Sequence, residues 1–195
     1  GISFVLINPH SGQRALPGRG CVCPAVIGPL TLDFLIAAGS DQGDVSVFAY
    51  AGCCGLATVP GWPKHLGGAG FAPDFLWLRF GGDGPNAEGD CTGGPTLVAH
   101  NADRLWAFCP QGEALAGWGR SFGDTIVAGL GAGDPDGDGF PEVLVQTVRS
   151  QVAFVNRDGY PSPGWPRAGT NEALRTEAPA LALDVDGDGR SEVVT

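Results

Sequence analysis

Two nine-residue segments of the chain have the residue types and spacing needed to bind a metal ion. DPDGDGFPE (134–142) and DVDGDGRSE (184–192) share the pattern D-x-D-G-D-G-x-x-E. Carboxylates at positions 1, 3, 5 and 9 converge only if the backbone curls round a centre, and Gly139 and Gly189 permit that turn. Clustered carboxylates repel one another in a partly desolvated site, so they favour a hard divalent cation with flexible oxygen coordination, which indicates calcium. The predicted ligands are the side chains of Asp134, Asp136, Asp138, Glu142, Asp184, Asp186, Asp188 and Glu192 and the backbone carbonyls of Phe140 and Arg190.

Three other interpretations of these two loops are an EF-hand, a magnesium site and turns without a metal. An EF-hand needs a bidentate Glu at position 12, where the loops have Val145 and Thr195, and a helix where the strand-like EVLV follows. Magnesium fits less well because it demands octahedral geometry and retains its waters. Two Asp-Gly turns with solvated carboxylates stay open as the alternative without a metal. The recurrence of the loop in register within a repeat favours calcium.

The acidic loops belong to a longer unit that recurs along the chain. PGWP, AGWG and PGWP place Trp62, Trp118 and Trp165 at spacings of 56 and 47 residues. A period of about 20 to 50 residues is typical of solenoids and propellers. Because these tryptophans recur at a fixed position of the repeat, we expect them to pack between units.

Each unit is predicted to form a β-hairpin. TLVAHNADRLWAF (96–108) aligns with EVLVQTVRSQVAF (142–154) without a gap, and DFLIAAGSDQGDVSVF (33–48) aligns with three extra residues. Runs rich in β-formers flank a turn-like NAD or VRS, and Asp-Gly and prolines then take the chain out of the sheet. Short strands at regular spacing, with about 50 residues per unit, match one four-stranded blade of a β-propeller. The fold class is therefore all-β, with a β-sandwich as the alternative architecture.

The repeat is incomplete at both ends of the chain. SFVLINPHSG (3–12) resembles QVAFVNRDG (151–159), the second half of a unit, and LDVDGDGRSEVVT (183–195) supplies a first half. Three arrangements stay open: four blades with the termini sharing one blade, a partial ring from a larger propeller, or a subunit completed by its neighbour in a head-to-tail polymer. The approximate units of a single repeat domain are 1–29 (half unit), 30–80, 81–130, 131–180 and 181–195 (half unit).

The segment DPDGDGFPEVLV, followed by QVAFVNRDGYPSPGWP, resembles the FG-GAP or VCBS-type repeats of extracellular bacterial proteins, which are related to the calcium-bearing blades of integrin α-subunit propellers. The resemblance covers about residues 30–195 and is strongest for 134–195. It implies calcium in a loop between strands of a blade, held by the Asp and Glu positions named above. It also implies adhesion, ligand recognition or an accessory role beside secreted polysaccharide-acting enzymes. The segments 18–33 and 81–96 lack the acidic spacing, which puts calcium in the first two units in doubt.

Six cysteines, an even number, favour disulfides and an oxidising, extracellular location. Zinc sites favour ligand pairs separated by two to four residues, which Cys21-Val22-Cys23 and Cys53-Cys54 do not provide. Cysteines also occur in both degenerate loops, which suggests the hypothesis that disulfides replace the metal there. The sequence leaves the pairing open among Cys21, Cys23, Cys53, Cys54, Cys91 and Cys109.

The composition excludes several classes of partner. The chain has 11 basic and 21 acidic residues and a net charge of -10, which removes the electrostatic basis of nucleic-acid binding and of docking on anionic membranes. No apolar run reaches the roughly 18 residues needed to span a bilayer, so membrane insertion is not expected. With 43% hydrophobic residues, 33 Gly and 16 Pro, the chain is expected to be a packed domain with many turns.

No combination of residues typical of catalysis stands out. There is no G-x-S-x-G motif, and His10, His65 and His100 share no pattern and are expected in loops or on the surface. Carboxylate pairs for glycoside hydrolysis stay open because any two acids can meet in space. We therefore expect an extracellular calcium-binding protein that is not an enzyme and has a structural or adhesive role at the cell surface. Its expected partners are a protein or glycan ligand, or further copies bound through the half-unit termini. A carbohydrate-binding or accessory module of a secreted polysaccharide-acting enzyme is the alternative.

Overall fold

In the computed structural model, every regular element of the described chain is a β-strand. The structure describes residues 3–7, 34–50, 56–67, 73–80, 91, 95–127, 129–149, 151–168 and 180–194. Their strands form four antiparallel sheets, none of which closes on itself, and this confirms the all-β class. No helix able to cross a membrane occurs among these residues.

The four sheets follow one another along the chain, and the main path of each joins strands that are consecutive among the described elements. The first sheet contains β1 (Ser3–Ile7), β2 (Phe34–Gly39), β3 (Asp44–Tyr50) and β4 (Leu56–Thr58), with β5 (Lys64–His65) also paired to β3. The second contains β6 (Asp74–Leu78), β7 (Thr96–Asn101), β8 (Arg104–Phe108) and β9 (Arg120–Ser121). The third contains β10 (Gly131–Gly133), β11 (Glu142–Gln146), β12 (Gln151–Val155) and β13 (Arg167–Ala168), and the fourth contains β14 (Leu181–Leu183) and β15 (Glu192–Val194).

The three predicted hairpins are present as β2–β3, β7–β8 and β11–β12. Each is preceded by a strand that pairs with its first strand, and the sheets therefore do not begin where the predicted units begin. β6 falls in the predicted unit 30–80 but belongs to the second sheet, and β1 pairs with β2 instead of standing apart in a half unit. The sequence of β10, Gly-Ala-Gly, contains no strand-forming residue that could have marked this boundary.

Consecutive sheets pack face to face because the middle strands are apolar on both sides. In β7, Leu97 and Ala99 are buried against the first sheet, whereas Val98 is buried against the third. In β11, Val143 packs against the second sheet and Leu144 against the fourth. Alternate side chains of a strand point to opposite faces, so a strand covered on both faces becomes a continuous apolar run.

The hairpins of the second and third sheets differ by one residue. Val98 is paired with Ala107 in one hairpin, but Leu144 is paired with Phe154 in the other. The gap-free alignment of 96–108 with 142–154 places Phe108 on Phe154, and this equivalence is wrong because the second turn is one residue longer. A shift of one residue moves a side chain to the opposite face of a sheet. Phe108 accordingly faces the first sheet, and Phe154 faces the fourth.

Two of the three recurrent tryptophans, Trp62 and Trp118, contact the next sheet, as predicted, whereas Trp165 packs edge-on against Phe154 of its own sheet. Trp62 lies between β4 and β5 of the first sheet, is buried, and packs edge-on against Phe108 of the second sheet with ring centroids 5.4 Å apart. Its Nε1–H donates a 2.7 Å hydrogen bond to the Pro110 carbonyl, in the turn after β8. Trp118, one unit later, donates in the same way to the Arg157 carbonyl after β12, over 3.0 Å.

Glycines beside these tryptophans allow backbone to touch backbone between units. Gly61 and Gly117 both have positive φ, at 94° and 86°. A Cβ on Gly61 would lie 2.0 Å from the Gln111 carbonyl oxygen, and one on Gly117 would lie 2.1 Å from that of Asp158. Only glycine fits both the conformation and the distance. The turns that contain Gly61-Trp62 and Gly117-Trp118, called the G-W turns, therefore each contact a turn of the next unit.

Candidate metal sites

The first acidic loop, residues 134–142, connects β10 to β11 and curls round the carboxylate of Asp134. Oδ1 of Asp134 accepts hydrogen bonds from the N–H groups of Gly137 (2.7 Å) and Asp138 (3.1 Å), and Oδ2 accepts one from Gly139 (2.7 Å). Gly137 and Gly139 adopt positive φ values of 76° and 88°, which side chains rarely tolerate. The alternating glycines of D-G-D-G are therefore the local reason for the curl.

Three of the four predicted carboxylates of this loop converge. Asp134, Asp136 and Glu142 each place an oxygen within 4.8 Å of the others. Asp138 is not in this group, and its Oδ1 accepts the N–H of Phe140 over 2.8 Å. Asp138 thus shapes the turn at position 7, where the carbonyl of Phe140 is the predicted backbone ligand.

Glu142 is the least solvated member of the group. Its residue is 6% exposed, and its Oε2 has no hydrogen-bond partner among the described residues. Burial, followed by repulsion from Asp136, Asp138 and Asp134, raises the pKa of Glu142 to about 7. A buried, unpartnered carboxylate aimed at two other carboxylates lacks a compensating positive charge, and a bound cation supplies one.

The second acidic loop, residues 184–192, connects β14 to β15 and repeats the curl. Asp184 accepts the N–H groups of Gly187 (2.7 Å) and Gly189 (3.0 Å), as Asp134 does in the first loop. Asp184, Asp186 and Glu192 also place oxygens within 4.8 Å of one another.

The second loop differs from the first at its Glu. Oε2 of Glu192 accepts the N–H of Val185 over 2.8 Å, so this carboxylate has a partner inside the loop. Asp188 again lies outside the convergent group and accepts the N–H of Arg190 over 2.8 Å. The predicted ligand sets are therefore partly assembled in both loops. The negative charge is less compensated in the first loop, because Glu142 Oε2 has no hydrogen-bond partner among the described residues and Glu192 Oε2 has one.

The donor set of both loops fits a hard cation. Every converging atom is a carboxylate oxygen, and oxygen is the ligand that calcium and magnesium prefer. Sulfur and imidazole groups are absent from both clusters as described, which separates them from zinc sites. The arrangement can bind and hold a divalent ion.

The second sheet has a disulfide where the third has the acidic loop. Cys91 and Cys109 are bonded, with Cα atoms 5.1 Å apart, and Cys91 Sγ lies 3.6 Å from the Thr96 hydroxyl. Thr96 begins β7 as Glu142 begins β11. The other cysteines predicted to form disulfides, Cys21, Cys23, Cys53 and Cys54, lie outside the described residues.

His100 is buried in a strand, so the expectation of a loop or surface position is wrong for this residue. It lies in β7, is 6% exposed, and its Nε2 is 3.6 Å from Oδ2 of Asp74 on the paired strand β6. Asp74 also accepts the Gly129 N–H over 3.0 Å. Contact with His100, together with the Gly129 bond, lowers the pKa of Asp74 against the opposing effect of burial. His65 is exposed as expected, and His10 lies outside the described residues.

Comparison with protein-family models, with curated proteins and with solved structures finds no match. The class of the protein is described from its own structure: an all-β repeat protein in which two acidic loops share one sequence pattern.

Proposed function

We propose that this protein is an extracellular calcium-binding β-propeller repeat protein with a structural or adhesive role at the cell surface. The observation that supports calcium binding most strongly is Glu142, a buried carboxylate with an unpartnered oxygen facing Asp134 and Asp136. A divalent ion there neutralises the cluster, so its binding free energy becomes folding free energy. The second loop repeats the same hydrogen-bond pattern round Asp184, which supports a second site.

Calcium is favoured over magnesium by the irregular surroundings of the cluster. Calcium accepts six to eight oxygens in flexible geometry, whereas magnesium demands a near-ideal octahedron. The convergent set combines one buried residue, Glu142, with the exposed Asp136, so its three carboxylates differ in solvation.

The propeller architecture is supported by the order and stacking of the sheets. Each of the first three sheets runs up and down through neighbouring strands, as propeller blades do, and packs face to face on the next. The G-W turns repeat the same link between successive sheets. A radial arrangement of such sheets would turn each acidic loop toward one face of the molecule.

The fourth sheet supports a role in association, including head-to-tail assembly. Its outward face exposes Leu181, Leu183 and Val194 at 62%, 59% and 47%. In the third sheet, the corresponding face is covered by its neighbour. The turn at Gly164 also lacks the close backbone partner that Gly61 and Gly117 have in the described chain. An exposed apolar face of this kind would suit a protein partner or a further copy of the chain.

A carbohydrate-binding or accessory module is the second candidate, favoured by two exposed aromatic residues. Tyr160 and Phe140 are 46% and 37% exposed. The Arg120 guanidinium lies over the Tyr160 ring, 3.7 Å from its centroid. A glycan array in the presence of calcium separates the candidates, because specific glycan binding selects the module and its absence selects the structural role.

Calcium binding is tested by calorimetric titration and by thermal melting of the same sample. We expect excess EDTA to lower the melting temperature, and calcium, but not equimolar magnesium, to restore it. Asp136→Asn should weaken binding, whereas Asp41→Asn, a change at an exposed acid outside both loops, should not. Identical melting curves in EDTA and in calcium, with no heat of binding, would refute the proposal.

A further inference from the structure

The second acidic loop is hydrogen-bonded to the backbone of the first at Asp134, its position-1 residue. The Ser191 N–H donates a 2.7 Å hydrogen bond to the Asp134 carbonyl. The Asp134 N–H donates a 3.0 Å hydrogen bond to Oγ of Ser191, in a partly buried position. Both backbone groups of Asp134 are therefore fixed by one residue that lies 57 positions later in the chain.

Close packing of small residues keeps Ser191 in this place. A Cβ on Gly133 would lie 2.9 Å from the Ser191 Cβ and 2.5 Å from that of Ala182, so a larger residue at 133 would push the fourth sheet away. A Cβ on Gly137 would lie 3.2 Å from Cγ of Arg190, whose side chain runs along the first loop. The second loop thus covers the side of the first loop that carries the Asp134 backbone.

A fixed Asp134 backbone restricts where its carboxylate can lie. Three loop N–H groups converge on that carboxylate, so the orientation of Asp134 sets the curl of the whole loop. Pre-organising ligands raises affinity because less conformational freedom is lost when the ion binds. Ser191 therefore acts on the first site without contacting the ion.

We propose that Ser191 is a positioning residue of the first metal site and that the second loop serves as its support. This inference rests on the proposed calcium binding. The two loops share one sequence pattern but differ in structure. The first has a buried Glu142 and an Asp134 whose backbone is hydrogen-bonded to Ser191, whereas no described residue performs the role of Ser191 for Asp184. The first site is accordingly the tighter one.

The test uses the chain with Asp186→Asn as the parent, which removes a charged ligand of the second loop and keeps the amide oxygen that accepts the Asp188 N–H. Calcium titration of this parent reports the first site. Ser191→Ala in the same background should raise the dissociation constant about three- to ten-fold, the effect of one lost hydrogen bond. Ser191→Thr, which retains the hydroxyl, should restore most of the affinity.

A matched control and a second readout separate positioning from general stability. Ser121→Ala removes a hydroxyl bonded to Asp103 in the second sheet and should leave calcium affinity unchanged. Melting in EDTA measures the calcium-free fold, and we expect Ser191→Ala to reduce the calcium-induced rise in melting temperature more than the EDTA value. Equal dissociation constants for the parent and Ser191→Ala, or a loss that Ser191→Thr does not restore, would overturn the inference. A parent that binds no calcium would overturn the proposed function itself.

Discussion

Replacing Glu142 with glutamine should change stability in opposite directions with and without calcium. In the calcium-free protein, burial and the neighbouring aspartates raise the pKa of Glu142 from 4.5 to about 7. Below pH 4.5 the carboxyl is neutral in both the folded and the unfolded chain, so it makes no difference to stability. Between pH 4.5 and about 7 the unfolded chain releases this proton first, and stability therefore falls as the pH rises.

The size of this effect follows from the same pKa. A tenfold change in proton affinity is worth about 1.4 kcal/mol, so the raised pKa of Glu142 corresponds to at most about 3 kcal/mol above pH 7, and solvent screening of the exposed aspartates reduces that value. Glu142→Gln keeps the side-chain shape and removes the charge. In EDTA at pH 8 the variant should be more stable than the wild type by up to about 3 kcal/mol. With calcium the order should reverse, because the variant lacks a charged ligand.

Urea unfolding at pH 5 and pH 8, in EDTA and in excess calcium, measures these four conditions. The variant should show a smaller decline in unfolding free energy between the two pH values in EDTA. Asp41→Asn, which changes an exposed acid outside both loops, is the control and should follow the wild type throughout. A Glu142→Gln protein that is no more stable than wild type at pH 8 in EDTA would show that Glu142 is not a desolvated, uncompensated carboxylate.

Three further predictions concern the fold that carries the loops. Gly61→Ala should destabilise the protein by well over 1 kcal/mol in urea unfolding, since its Cβ would lie 2.0 Å from a backbone oxygen of the second sheet. Reducing the Cys91–Cys109 disulfide, which joins residues 18 positions apart, should cost about 3 kcal/mol and lower the melting temperature. The lowered pKa of Asp74 means that its stabilisation is present above pH 3.8 and is lost as the pH falls further, so Asp74→Asn should show a smaller acid-induced loss in melting temperature than wild type.

Each of these predictions has a matched comparison. Gly123 has a positive φ of 71° but open space where a Cβ would lie, so Gly123→Ala carries the backbone strain without the clash. Equal losses at Gly61 and Gly123 would contradict the contact between units. The Cys109→Ser variant should be insensitive to reductant at this disulfide, and continued sensitivity would point to other cysteines. If the melting temperatures of wild type and Asp74→Asn fall equally as the pH is lowered, Asp74 does not contribute to acid stability.

The hairpins and the curl of the acidic loops could be predicted because they depend on local rules. Strand propensity, turn residues and glycines at fixed spacing specify them within a few residues of sequence. The strand β10 could not be predicted, since its Gly-Ala-Gly sequence reflects packing by a later segment: Gly133 lacks a side chain because Ala182 and Ser191 occupy the space.

The alignment of the repeats also could not predict which face of the sheet each hairpin side chain occupies. One extra residue in the turn before β12 moves Phe154 to the face opposite that of Phe108, although the two residues align without a gap. The role of Ser191 was missed for a similar reason, because its partner Asp134 lies in another unit. Spacing predicted that all four acids of the first loop converge, but only three do, and the fourth, Asp138, accepts the Phe140 N–H instead. Contacts between units decide these details, and a single sequence does not display them.

Among the described residues, the apolar clusters join each sheet to its sequence neighbours, an arrangement like a one-dimensional array of repeats whose cooperativity passes from unit to unit. The fourth sheet has only two described strands and a neighbour on one side, so its amide protons should exchange with solvent before those of β7 and β11, which are buried on both faces. Unfolding would then begin at β14 and β15 and reach the first acidic loop next, after Ser191 has left Asp134. Local unfolding of the fourth sheet would therefore weaken ion binding at the first acidic loop before the third sheet itself unfolds.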